Sequence, residues 1–144
     1  MTAVLFKNAA LLDPTQPELQ EGFHVLVEDG KIKEVSDKPI TASSAQVIDV
    51  AGKTLMPGLI DLHAHVMATQ LNLSSQGVLP DALVMMRAVP IMSAMLRRGF
   101  TTVRDAGGLD VGIAEALATG AICGPRVFRS GRVLSQTGGH GDTA

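Results

Sequence analysis

Apolar and polar residues alternate in short runs over the first third of the chain, the period of strands that bury one face. Val4 to Leu12 forms the first run, and it ends at Asp13-Pro14-Thr15-Gln16-Pro17, where proline removes ladder donors. Phe23 to Glu28 and Lys31 to Val35 flank Asp29-Gly30, a pair that tolerates the positive φ of a tight turn and so predicts a β-hairpin. A second pair of strands, Ala45 to Val50 and Lys53 to Leu55, is expected to be joined through Ala51-Gly52 before Met56-Pro57-Gly58 closes the all-β region. The predicted domain boundary therefore falls at Pro57, separating residues 1–57 from residues 58–144.

Beyond that boundary the pattern becomes strand, helix, strand, helix, strand, which predicts parallel βα units and an α/β fold. The strand Gly58 to His65 comes first. Asp81 is then the expected N-cap of a helix reaching Arg97-Arg98, with Gly99 as its left-handed stop and Pro90 expected to kink or divide it. Phe100 to Ala106 reads as a strand, Asp110 caps a short helix through Thr119 with Gly120 as its stop, and Arg126 to Ser130 reads as a third strand. Met85, Met86, Met92 and Met95 are expected to fill gaps between helix and sheet. A parallel sheet needs both faces covered, and a closed (β/α)8 barrel takes about 250 residues. The 144 residues are accordingly expected to be the front of a larger chain or assembly. Left alone, the open sheet edges would drive association, so a homo-oligomer or aggregate is the expected state of the isolated segment.

Composition narrows the function classes. With 46% hydrophobic and 18% charged residues, the chain is not a disordered segment. A formal net charge of −2 and 12 scattered basic residues give no footprint for nucleic acid or an anionic membrane surface. The apolar stretch from Ala82 to Leu96 is interrupted by Arg87, Pro90 and Ser93 and falls short of the about 20 residues that span a bilayer. Cys123 is a single cysteine with no recognisable base partner, and Met1 to Lys7 lacks signal-peptide character, so a reduced, cytoplasmic protein is expected.

The candidate chemistry lies in Asp61-Leu62-His63-Ala64-His65. In an extended strand Leu59, Asp61, His63 and His65 share one face, with the two histidines anchored roughly 6 to 7 Å apart. Two imidazoles can bridge that span to one metal at about 2.0 to 2.1 Å each. An aspartate and two histidines on one strand face call for charge compensation, because unpaired buried polar groups cost roughly 1 to 3 kcal/mol or more. Metal binding by His63 and His65 is therefore the favoured reading, over ordinary hydrogen-bonded histidines. Asp61 reads either as a partner that orients a ligand or as a salt bridge or cap. His140 lies in the glycine-rich Thr137-Gly138-Gly139-His140-Gly141-Asp142, at the end of the strands where the histidine pair would sit, and reads as a substrate contact or as an exposed loop residue. Asp105-Ala106-Gly107-Gly108 reads as a tight turn without a catalytic role, and His24 as an ordinary strand residue.

Leu55-Met56-Pro57-Gly58-Leu59-Ile60-Asp61-Leu62-His63-Ala64-His65 resembles the entry strand of the metal-dependent amidohydrolase superfamily. Gly99 to Gly108 and Ser135 to Asp142 further resemble its imidazolonepropionase-like branch, especially the Xaa-Pro dipeptidases. The resemblance implies the N-terminal part of a (β/α)8 metallo-hydrolase barrel preceded by a small β-sandwich domain. It implies one or two zinc ions, with His63 and His65 on the more buried one, and metal-activated water attacking the peptide bond of Xaa-Pro or similar dipeptides. It also implies that His140 hydrogen-bonds the scissile carbonyl or a substrate carboxylate. The family's remaining ligands and its proton-handling aspartate would lie beyond residue 144, so the segment alone is expected to be inactive. The expected partner is a dipeptide or other small-molecule substrate. A cyclic-amide hydrolase of the imidazolonepropionase type and a non-enzymatic metal-binding module are the rival readings.

Overall fold

The computed structural model describes residues 3–139, and the chain divides into two units, Met1–Pro57 and Gly58–Ala144. In the first unit, strands β1 (Ala3–Leu11), β2 (Gln20–Glu28), β3 (Lys31–Ser36), β4 (Gln46–Asp49) and β5 (Thr54–Leu55) form one mixed sheet. Its order is β3-β2-β1-β4, with β5 also pairing β1. Asp29 and Gly30 take φ of 49° and 77°, which turns β2 antiparallel onto β3 as the alternating pattern predicts. Leu5, Leu26 and Ile40 are buried together as the core of this unit.

The expected pairing of β4 with β5 does not form. Each instead runs parallel to β1, β4 beside Val4 to Lys7 and β5 beside Ala10 and Leu11. The cause lies in β1, where Asn8 adopts φ 57° and interrupts the strand. Ala51 and Gly52, at φ 50° and 76°, jog the neighbouring segment at the same level, and Gly52 N donates to Asn8 O at 2.7 Å. Asp49 holds this jog, accepting from Ala51 N and from Asn8 Nδ2 at 2.9 Å each. His24 is buried in β2, and its Nδ1 has no hydrogen-bond partner among the described residues.

The second unit contains β6 (Leu59–Ala64), α1 (Leu73–Gln76), α2 (Asp81–Arg97), β7 (Phe100–Asp105), α3 (Val111–Ala118) and β8 (Arg126–Arg129). Its three strands pair in parallel in the order β6-β7-β8, so each consecutive pair is joined by a helical crossover. Val84, Ala88 and Met92 recur every four residues along α2 and are buried with Val66, Val103, Leu109 and Ile113. Met86 is 64% exposed and stands outside the packing role expected of the methionines.

Two local expectations are corrected. Pro80, not Asp81, occupies the N-cap of α2, and Asp81 lies in the first turn, where its charge complements the helix dipole. Pro90 does not divide the helix, because Ala88 and Met92 anchor the turns on either side of it in the core. Asp110 caps α3 as predicted, its side chain accepting from Gly112 N at 2.7 Å. No helix of the described residues is long and apolar enough to cross a membrane.

Gly58 opens β6 where a Cβ would collide with the Thr101 side chain of β7. Gly58→Ala is expected to lower stability by about 1–3 kcal/mol through overpacking, read as an earlier midpoint in denaturant unfolding. Hydrogen bonds from Ala51 and Asn8 hold the Asp49 carboxyl below its ordinary value of 3.8. A depressed carboxyl favours the folded state when ionised, so its contribution is present above that value and disappears as pH falls through the folded pKa. A carboxyl-carbon NMR titration should place the Asp49 midpoint below 3.8, and Asn8→Ala should move it upward.

Candidate functional site

His63 and His65 lie at the carboxyl end of β6, with ring centroids 5.2 Å apart and planes inclined at 72°. Simple alternation does not produce this arrangement. Asp61 stands opposite Val103 and Ala64 opposite Asp105, so β6 spends one more residue than β7 over this stretch. The extra residue falls at Leu62 and His63, where side chains replace missing ladder partners. Arg104 Nε donates to Leu62 O at 2.7 Å, and His63 N donates to Asp61 Oδ1 at 2.9 Å. Asp61 thus braces the backbone of His63, which makes it a local cap. Past the irregularity Ala64 packs against the hydrophobic core, while both histidines remain exposed.

The loops beyond the strands are organised by Asp105, whose side chain is 0% exposed. Its Oδ1 accepts from Val66 N at 3.1 Å, and its Oδ2 accepts from Gly107 N and Leu109 N at 3.1 Å each. Gly107 O in turn faces His65 Nδ1 at 3.4 Å. With a proton on Nδ1 directed at that carbonyl, the His65 lone pair lies on Nε2, the tautomer suited to a metal. Gly107 is required to be glycine because a Cβ there would collide with the Val133 side chain.

The donor set fits two positions of a divalent metal site: two convergent imidazoles, one with an outer carbonyl partner. Among the described residues no group of three or more His, Cys, Asp or Glu side chains comes together to hold an ion. His140 lies outside the described residues. Cys123 is exposed, and His24 belongs to the other unit. Asp105 is the residue that sequence reasoning undervalued. Its available signal was strand alternation, since Val103 and Asp105 occupy the buried positions of β7 between exposed Arg104 and half-buried Thr102.

Comparison with known proteins places these features in context. A family model described as the Amidohydrolase family matches residues 54–144. Among solved structures, an amidohydrolase is 63% identical with a TM-score of 0.92, covering 96% of this chain and 34% of that one. A prolidase complexed with N-methylphosphonate-L-proline is 47% identical with a TM-score of 0.91, covering 96% of this chain and 34% of that one. A dihydroorotase of Aquifex aeolicus (strain VF5) is 43% identical over 65 residues, which is 45% of this chain and 15% of that protein. The chain therefore spans about a third of the solved structures it resembles and a smaller share of the dihydroorotase.

Removing the Asp105 carboxylate would leave three backbone donors without their acceptor. Asp105→Ala is expected to cost about 3 kcal/mol or more, given 1–3 kcal/mol per buried unsatisfied group, measured by equilibrium denaturation.

Proposed function

This chain belongs to the amidohydrolase family, and from that premise we propose that it carries the first two metal ligands of a hydrolase acting on Xaa-Pro or similar dipeptides. The observation that carries the reading is the convergence of His63 and His65, 5.2 Å apart, at the carboxyl end of a parallel strand. Active sites of parallel barrels form at that end. The exposed Ile60, Leu62 and Phe128 support reading β6, β7 and β8 as the opening strands of a (β/α)8 barrel, and the exposed Ile32, Val35 and Val47 support reading the N-terminal sheet as one layer of a β-sandwich. The 47% identity to a prolidase holding a proline derivative favours a prolyl substrate.

Within the site His63 and His65 would hold a divalent metal, zinc in this reading. When bound, such a metal supplies water acidic enough to attack a carbonyl near neutral pH. This chain's own residues do the positioning: Asp61 braces His63 through its backbone, and the Gly107 carbonyl faces His65 Nδ1 at 3.4 Å, which with a proton on Nδ1 leaves Nε2 for the metal. His140 is assigned to the substrate's carbonyl or carboxylate. In this reading a complete site would need further ligands and a proton-handling group besides these residues. Hydrolysis of a cyclic amide is the second reading, favoured by the 43% identity to a dihydroorotase over 65 residues.

The test is metal analysis of the full-length protein together with hydrolysis of an Xaa-Pro dipeptide panel and of dihydroorotate. One or two equivalents of zinc are expected, with dipeptide hydrolysis abolished by chelation and restored by metal. His63→Ala and His65→Ala should each lower metal content and activity at least tenfold, by the loss of one ligand in a site of about four. A metal-free, active protein would overturn the metal reading. Cleavage of dihydroorotate with every dipeptide left intact would transfer the assignment to cyclic amides.

A further inference from the structure

We propose that Asp105 is a positioning residue that sets how His65 is presented to a metal, acting through the Gly107 peptide and the backbone on either side of His65. The inference rests on the metal reading of His63 and His65. Three separate connections lead from His65 to the same short segment of chain. The carbonyl before it, Ala64 O, accepts from Ala106 N at 2.8 Å. The amide after it, Val66 N, donates to Asp105 Oδ1 at 3.1 Å. Its ring faces Gly107 O at 3.4 Å, and the N–H of that same residue is held by Asp105 Oδ2 at 3.1 Å.

One buried carboxylate thus governs both the backbone frame of His65 and the placement of the carbonyl that selects its tautomer. His63 has no such link to Asp105, being tied to Asp61 through its backbone N–H. The expected effect of changing Asp105 therefore falls on His65. Partners that orient a metal-bound histidine typically change metal affinity by about 10–100-fold when removed.

Asp105→Asn keeps the size of the side chain but not its chemistry. Its single carbonyl oxygen can serve Gly107 N and Leu109 N, while its NH2 group would meet Val66 N, donor against donor. In the full-length protein, zinc affinity is measured by chelator competition on folded material, and the cobalt-substituted form is examined by visible absorption. The folded variant is expected to bind zinc about 10–100-fold more weakly and to show an altered cobalt spectrum. A purely structural role would lower the unfolding midpoint while leaving affinity and spectrum of the folded protein unchanged, and that result would overturn the proposal.

His65→Ala separates this from failure of the underlying reading. If His65→Ala loses metal while Asp105→Asn matches the unsubstituted protein, positioning by Asp105 falls and the metal reading stands. If His63→Ala and His65→Ala both retain full zinc affinity, the metal reading itself falls and takes the proposal with it. Should Asp105→Asn fail to fold, a crystal structure of the metal-loaded, unsubstituted protein decides. Ligation through Nε2 with Nδ1 on Gly107 O is expected, and ligation of His65 through Nδ1 would overturn the proposal.

Discussion

A buried carboxylate must have its oxygens met by donors, and Asp105 obtains three N–H groups from two different loops. Val66 follows β6, whereas Gly107 and Leu109 follow β7, so the two segments fold around one charge. The backbone of the same region reaches the third strand as well: Ser130 N donates to Asp105 O at 3.2 Å, and Gly108 N to Gly131 O at 2.9 Å. Every chain that leaves the carboxyl end of this sheet is therefore tied to a common point. A hydrogen bond to a charged group contributes about 1.5–3 kcal/mol, larger than that of a neutral pair, which makes this point stiffer than an ordinary turn. The exposed histidines stand on that frame.

The neighbouring strand has to satisfy two incompatible demands. Helices α2 and α3 pack against the core that includes Ala64, Val66 and Val103, while the two imidazoles of the same short segment are exposed. Uniform alternation over Asp61 to Ala64 would put Asp61 and Ala64 on opposite faces, yet each stands opposite a buried residue of β7. An extra residue resolves the conflict by re-aiming the chain within the strand. The irregularity would leave a carbonyl and an amide without ladder partners. Arg104 and Asp61 supply them from side chains, so neither residue is interchangeable with an apolar one.

How much of this was legible in the sequence depends on the range of the interaction involved. The Asp29-Gly30 hairpin, the Asp110 cap and the extent of α2 are written in residues a few positions apart, and pattern reasoning found them. Pairing of β4 and β5 was misread because it is decided by the backbone of Asn8, in a different strand. Pro90 was expected to kink or divide the helix from local chemistry, but α2 runs undivided from Asp81 to Arg97, with Ala88 and Met92 buried on either side of it. Asp105 looked like a turn aspartate because two of its three donors are indeed local. The third, Val66, is 39 residues earlier, and it converts a turn into a brace between strands.

Preorganisation links that brace to the metal site proposed for His63 and His65. A divalent metal held by two imidazoles alone is weakly bound, and further ligands must be recruited to complete about four positions. Each additional ligand contributes most when the first two no longer have to be ordered as it binds, because the entropy of fixing rotamers is then already spent in folding. Exposed histidines on an unbraced strand end would lose that advantage. A pair clamped through its backbone, with one ring facing a carbonyl whose own peptide is held by a buried charge, retains it. The cost of burying Asp105 is thus borne during folding, at a distance from solvent, and the return appears at the rings.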